Sequence, residues 1–286
     1  MRAQPWRKPF IFNNLQKGVA TDFTNKQVWI TGASSGIGEA LAHAFADAGA
    51  GLVLSARNAD KLAQVAEACL ARGAASAKCV AIDLADPVAL AVLQQQLAQT
   101  VGRVDVLVNN SGISQRSTVE ETHLDVYRQL MEVNFFGTVA ITKMALPGMV
   151  QQGGGQVVTI SSVSGKLGTP VRSGYCASKH ALHGFFDSLR AETYHQGVKV
   201  LLVCPGYINT NISLNALNAV GKPTGKMDTN QAGGLAPAAL AQRILKAIAG
   251  GREEIYVGGK EIYGIYLKRF FPKMLSRILR KMGMPQ

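Results

Sequence analysis

Only four cysteines occur in the sequence, Cys69, Cys79, Cys176 and Cys204, and no C-x-x-C pair or regular spacing joins them. That pattern supports neither a zinc site nor a disulfide framework, and it fits a reducing compartment. The histidines His43, His123, His180, His183 and His195 have no metal-ligand partners at useful spacing, so no metal is expected. Long apolar runs are missing too, since none approaches the roughly 18 residues of a spanning helix. The opening stretch, MRAQPWRKPFIFNNLQKG, lacks the apolar core of a signal peptide. These absences predict a chain that is neither transmembrane nor secreted by that route, and hence cytoplasmic. Acidic residues are scarce as well, 18 against 30 lysines and arginines, for a net charge of +12.

The 286 residues are 47% hydrophobic and 17% charged, which excludes disorder and coiled coil and suits one large α/β domain or two small ones. The positive excess is unevenly placed: residues 1–26 carry +4, residues 27–259 only +2 and residues 260–286 +6. A nucleic-acid partner would call for basic residues on one folded face with aromatics between them, and the middle shows no such clustering. The chain thus divides into a basic N-terminal extension (1–26), a nearly neutral central domain (27–259) and a basic C-terminal tail (260–286). No internal repeat interrupts this division.

From Gln27 onward, short β-branched apolar runs alternate with longer segments of helical period. QVWIT, LVLSA, AKCVAI, VDVLVNN, QVVTIS, KVLLVCP and EEIYV read as strands. Helical segments are expected at 36–49, 59–72, 86–100, 122–151, 173–196 and 237–249. Such alternation gives parallel strands joined by right-handed crossovers, a doubly wound sheet with helices on both faces. Ligands of these sheets bind at the carboxyl ends of the strands. Residues 206–234 form a loop too long for a plain connection, which suggests a lid or binding loop.

The first strand runs into Thr31-Gly32-Ala33-Ser34-Ser35-Gly36-Ile37-Gly38 and then a helix. Gly32 permits the tight turn, Gly36 lets the backbone approach a pyrophosphate and Gly38 allows close helix packing. Gly32, Ser34, Ser35, Gly36, Ile37 and Gly38 are therefore candidate cofactor contacts. Where an acidic residue would bond the 2′-hydroxyl of an NAD ribose, the second strand ends in Ser55-Ala56-Arg57. Arg57 can grip a 2′-phosphate, so NADP(H) is preferred over NAD(H), the alternative being that Arg57 is a solvated surface residue. Asp83, followed by Leu84, is placed to accept a bond from the adenine amine or, equally, to cap the next helix.

Tyr175 and Lys179 are spaced i, i+4 on one helical face, with Ser162 at the end of the preceding strand. A neighbouring ammonium is expected to bring the phenol pKa toward working range. Tyr175 would then exchange a proton with a carbonyl or alcohol oxygen, while Ser162 hydrogen-bonds that oxygen.

Thr31-Gly32-x-x-x-Gly36-x-Gly38, Asn109-Asn110-Ser111-Gly112, Asn134, Ser162, Tyr175-x-x-x-Lys179 and Pro205-Gly206 resemble, in order and spacing, the short-chain dehydrogenase/reductase family over about residues 27–259. The resemblance implies a single Rossmann-type domain with a parallel seven-stranded sheet. It also implies hydride transfer between a nicotinamide and a carbonyl or alcohol carbon. By the same resemblance, Asn134 holds a water that relays protons to Lys179, and Lys179 bonds the nicotinamide ribose. Asn109 and Asn110 brace the central strands and flank the cofactor, while Pro205, Gly206, Ile208 and Thr210 face the nicotinamide. Ser111 stands where the family usually has Ala. The expected assembly is a homodimer or homotetramer.

Beyond the last strand, LKRFFPKMLSRILRKM carries Leu267, Phe270, Phe271, Met274, Leu275, Ile278, Leu279 and Met282 as one apolar stripe between cationic residues. One short helix is expected to end near Phe271 and a second to start at Pro272. The stripe fits an anionic membrane surface slightly better than packing on the domain or across a dimer, and WRKPFIF could join the same surface. Ile208, Ile212, Leu214, Leu217 and Val220 suggest an apolar or amphipathic carbonyl substrate. The chain reads as an NADP-dependent oxidoreductase, peripheral on the cytoplasmic membrane face. Two other readings are a cofactor-binding membrane or regulatory protein without turnover, and a reductase of ketones carried on an acidic acyl-carrier protein.

Overall fold

A computed structural model describes residues 22–281, so residues 1–21, with the WRKPFIF segment, and Met282 lie outside the described residues. The chain begins with strand β1 (Gln27–Thr31), helix α1 (Gly36–Asp47), β2 (Gly51–Ala56), α2 (Ala59–Ala71) and β3 (Ser76–Ala81). Helices α3 (Pro87–Gln95) and α4 (Leu97–Thr100) lead to β4 (Val106–Asn109). Helix α5 (Leu124–Met131) passes through a π-turn, Glu132–Phe136, into α6 (Gly137–Gln151), which precedes β5 (Gly155–Ile160). Then come α7 (Ser173–Thr193), β6 (Val198–Pro205), α8 (Thr229–Ala232), α9 (Pro237–Ala249) and β7 (Glu254–Val257). The tail forms α10 (Tyr263–Phe270) and α11 (Pro272–Lys281).

All seven strands are parallel, in the order β3-β2-β1-β4-β5-β6-β7. The alternation of side chains along β1 sends Val28 and Ile30 to one face, where they meet Leu41 and Phe45 of α1, Leu62 of α2 and Ile244 of α9. Trp29 points to the other face, with Ile141 and Met149 of α6 and Leu182 and Phe186 of α7. Both faces being covered explains why the central strands are apolar, while the edge strand β3 leaves Lys78 and Cys79 exposed. The one polar atom Trp29 brings inside is satisfied, because its indole N–H donates to Ser55 Oγ at 2.8 Å.

Local chemistry sets the helix starts. Asn58 accepts from the Lys61 amide at the head of α2, and Asp86 accepts from Val88 and Ala89 ahead of Pro87 in α3. The segment expected as one helix from 86 to 100 breaks at Gln96 into α3 and α4. The segment from Leu124 to Gln151 is one continuous helix of 28 residues, long and apolar enough by length and composition to cross a membrane. No such length shows as an uninterrupted apolar run in the sequence. Here Leu130, Ile141 and Met149 are fully buried in the protein's own interior, the ordinary environment of a core helix.

Candidate active site

The strand order reverses between β1 and β4, which opens a crevice at their carboxyl ends. There the glycine loop turns with Gly32 at φ +65° and Gly36 at φ +59°, conformations that a side chain would strain. A Cβ on Gly38 would collide with the Gly32 carbonyl oxygen, so the helix can sit this close to the loop only with glycine at that position. Asn110 holds the loop from across the crevice, its Nδ2 donating to the carbonyls of Thr31 and Gly32 at 3.1 Å each. Ser35 precedes α1 without capping it through its side chain, which leaves the first amides of the helix open toward the crevice.

The crevice widens into a cavity of about 840 Å³. Gly32, Ser34, Ser35, Gly36 and Ile37 line one end, joined by Arg57, Asp83 and Leu84. Arg57 is exposed and makes no ion pair among the described residues. Lys61, in the first turn of α2, lines the same end and is a second cation that the strand-end motif did not point to. Asp83 is not the cap of α3, a role that Asp86 takes; Asp83 accepts from the Ala85 amide at 3.0 Å and lines the cavity.

Two of the expected cofactor contacts lie behind the cavity wall. Gly38 acts through packing alone. Asn109 is buried, and its Nδ2 donates to Thr142 Oγ1 at 2.9 Å and Thr159 Oγ1 at 3.4 Å, so it ties β4 to α6 and β5 while Asn110 takes the lining position. The pair divides the two jobs because successive residues at a strand end point to opposite sides.

Tyr175 and Lys179, on α7, are both buried at the cavity wall, with the lysine Nζ 5.9 Å from the phenol ring centroid. The Lys179 ammonium donates to the Ile160 carbonyl at 2.9 Å. Ser162 starts a short turn, accepts from the Ser164 amide at 3.1 Å and stands close enough to Tyr175 to act on its hydroxyl. Burial pushes the Tyr175 phenol above its ordinary value, and the opposing pull of Ser162 and the Arg172 guanidinium does not reverse this. The expected downward shift is therefore overturned for the free chain. The same desolvation pulls Lys179 down to about 8, which weakens the cation that was to act on the phenol.

Asn134 sits in the π-turn, fully buried, and does not itself line the cavity. Its amide is held by protein: Oδ1 accepts from the Ile113 amide at 2.8 Å, and Nδ2 donates to the Ile113 carbonyl at 3.0 Å and to Ser178 Oγ at 2.9 Å. Ser178, absent from the sequence motifs, in turn donates to the Tyr175 carbonyl at 2.9 Å and so links the π-turn to α7. Asn134 Oδ1 and Lys179 Nζ each come within 3.3 Å of the position a Gly112 Cβ would take, so the two polar groups converge at that backbone.

Pro205, Gly206, Ile208 and Thr210 line the opposite wall, where Gln231 donates from Nε2 to the Ile208 carbonyl. Of the loop residues expected in the pocket, Ile212 lines it, whereas Leu217 packs on Val126 and Leu130 and Val220 is exposed. Sequence reasoning missed the tail as part of the site. Leu267, Leu275 and Leu279 line the cavity, and Ile265 and Leu275 pack on Val163 and Leu167. Glu261 accepts from the Tyr207 amide at 3.0 Å and fastens the tail to the loop after β6. The apolar stripe is thus shared, with packing on the domain taking Leu267, Leu275 and Leu279 and leaving Phe270, Phe271 and Met274 exposed.

Folding also gathers His183, Cys204 and Glu254, whose ligand-type atoms lie within 4.8 Å of one another. Lys166 already occupies Glu254 Oε1 at 2.7 Å. Burial holds the Cys204 thiol well above its ordinary value and His183 down at about 4. In the metal-free chain the three groups and Lys166 form an internal polar cluster between α7, β6 and β7.

The reversed strand order, with an uncapped helix start and a glycine turn opening on it, places the protein in the doubly wound dinucleotide-binding class. Residues 26–219 match the family described as short chain dehydrogenase, and the chain belongs to the short-chain dehydrogenase/reductase family of oxidoreductases, which use nicotinamide cofactors on small molecules. It is 42% identical over 261 residues to dehydrogenase/reductase SDR family member 7B of Bos taurus, covering 89% of this chain and 80% of that one. It is 43% identical over 267 residues to the SDR family protein 7-like of Anopheles gambiae, covering 92% and 84%. Among solved structures, a short-chain dehydrogenase from Streptomyces avermitilis superposes with a TM-score of 0.73 at 30% identity over 90% of this chain and all of that one. An alcohol dehydrogenase from Thermococcus sibiricus, complexed with 5-hydroxy-NADP, gives 0.70 at 25% identity over 82% and 97%.

Proposed function

We propose that the protein is an NADP(H)-dependent carbonyl reductase acting on an apolar or amphipathic small molecule, with Tyr175 as the acid–base residue. The observation that carries this reading is that Ser162, Tyr175 and Lys179 open on the same cavity as the glycine loop. The cradle fits a dinucleotide. Gly32, Ser34, Ser35, Gly36 and Ile37 would hold the pyrophosphate against the open amides of α1, and Asp83 and Leu84 would flank the adenine. Arg57, unpaired among the described residues and beside Lys61, would take a 2′-phosphate. Pro205, Gly206, Ile208 and Thr210 would face the nicotinamide, with Lys179 bonding its ribose. When bound, the cofactor supplies or accepts the hydride.

Tyr175 gives its proton to the carbonyl oxygen in reduction, and Ser162 donates a hydrogen bond to the same oxygen as negative charge builds on it. The buried phenol is protonated at neutral pH, the state a proton donor needs. Lys179, lowered to about 8, is an ammonium at neutral pH that can give a proton toward Tyr175, and it loses that capacity as pH rises above about 8. Asn134 fixes the π-turn beside Lys179, where its backbone would hold the relaying water. We assign the catalytic domain to residues 27–259, with the tail supplying part of the substrate wall. The exposed Phe270 and Phe271, set among Lys268, Arg269 and Lys273, would meet the anionic cytoplasmic face of a membrane. A homodimer or homotetramer completes the reading.

Tyr175→Phe tests it. The variant should bind NADPH with unchanged affinity, followed by fluorescence, while turnover on a carbonyl panel falls by about 10²- to 10⁴-fold. Undiminished turnover would remove Tyr175 from the chemistry.

A further inference from the structure

At the substrate end of the cavity two arginines meet one carboxylate oxygen. Arg116 Nη2 lies 2.6 Å and Arg172 Nη2 2.9 Å from the same Asp228 Oδ2. Asp228 spends its other oxygen on the start of α8, accepting from Asn230 at 2.9 Å and Gln231 at 3.3 Å. All three side chains are largely buried, at 18%, 15% and 13% exposure, so one carboxylate leaves a whole positive charge poorly hydrated. Arg116 Nη1 is a buried donor with no partner among the described residues. Both arginines line the cavity with Tyr175, and Arg172 is close enough to act on the phenol.

The surrounding structure is rigid. Val171, immediately before Arg172, has φ +56°, a strained conformation for a β-branched residue, and its carbonyl accepts from the Ser117 amide at 3.1 Å. Gln115, fully buried, accepts from the Gly174 amide at 2.8 Å through Oε1. The segments that carry the two arginines are therefore laced together on either side of them. A simple latch closing the 206–234 loop would need one ion pair. The second guanidinium, the orphaned donor and the strained residue beside it are what a latch leaves unexplained. Paired guanidinium forks are suited to carboxylate and phosphate oxygens.

We propose that Arg116 and Arg172 form an anion subsite that holds a carboxylate or phosphate group on the same molecule whose carbonyl faces Tyr175. The inference rests on the oxidoreductase reading of the cavity and deepens it to an amphipathic substrate with an anionic group, its apolar part lying against Leu167, Leu267, Leu275 and Leu279. Calorimetric titration of the full chain, saturated with NADP⁺ so that the cofactor phosphates are in place, tests it with decanoate, decyl phosphate and decanol. At least one of the two anions should bind about ten-fold or more tightly than decanol, and the tighter of the two identifies the headgroup. Raising NaCl to about 0.5 M should weaken the anion and spare decanol. Arg116→Gln and Arg172→Gln should each cut the anion-to-decanol ratio by about ten-fold. Equal affinities in the unmodified chain, a preference insensitive to salt, or a ratio that survives both substitutions overturns the subsite. None of these readouts needs turnover, so selective anion binding without activity on any carbonyl would sink the oxidoreductase reading and leave the subsite standing.

Discussion

The two ends of the cavity are built on different principles. The glycine-loop end is made of backbone: positive-φ turns, the open amides of α1 and the Asn110 brace all belong to a continuous β1–α1 unit or its neighbouring strand. The substrate end is made of side chains from segments far apart in sequence, namely 113–116, 162–175, 205–231 and 260–279. The shape of the first end follows from a local turn, with the side chains of Arg57, Lys61 and Asp83 joining at its rim. The second is assembled by packing, so its chemistry can vary while the fold stays fixed.

The sharpest way to break this comparison is Gly38→Val. Because even a Cβ there collides with the Gly32 carbonyl, the substitution should displace the loop and abolish NADPH binding, read by fluorescence. Retained binding would mean that the loop is not the rigid half of the site.

A smaller effect is expected at the assembled end. Leu275→Ala removes a buried contact of α11 with Val163 and Leu167 and should loosen the tail by about 2 kcal/mol, raising KM for the carbonyl substrate about ten-fold. Phe270→Ser with Phe271→Ser changes only the outward face and should lower binding to anionic vesicles. If the inward change alters vesicle binding and the outward one alters KM, the division of the stripe is wrong. At Arg57 the effect falls on cofactor choice alone. Arg57→Asp should shift the NADPH-to-NADH ratio of kcat/KM by about 10- to 100-fold toward NADH, and an unmoved ratio removes Arg57 from cofactor choice.

The same contrast explains what was legible beforehand. The central strands of the sheet were visible as apolar runs because both of their faces are buried, and the helices followed from their period, although the cap of α3 is Asp86 and not Asp83. Ser162, Tyr175 and Lys179 were legible because their spacing reflects one strand end and one helix face. The π-turn at Asn134 was not, since a single extra residue per turn leaves no mark on hydrophobic period. Asn109 and Asn110 could not be told apart without knowing which side of β4 faces the crevice. The upward shift at Tyr175 was also hidden, because desolvation depends on neighbours that sequence spacing does not count.

The tail shows the limit most clearly. Its amphipathic stripe was certain from sequence, and the break between α10 and α11 fell at Pro272 as expected. Whether that stripe meets lipid or protein depends on what lies opposite, and the structure divides it between Leu275 inside and Phe271 outside.

By itself the sequence determined the doubly wound fold, the glycine cradle and the Ser162, Tyr175 and Lys179 set, because these depend on local turns, caps and periodicity within one or two elements. Only the tertiary structure decided which residues wall the substrate end, that Arg116 and Arg172 share Asp228, and that Lys166, His183, Cys204 and Glu254 meet. Those groupings arise when strands and loops as much as 112 residues apart are packed together, and the energies that matter there, desolvation and charge pairing, depend on distance in space rather than along the chain.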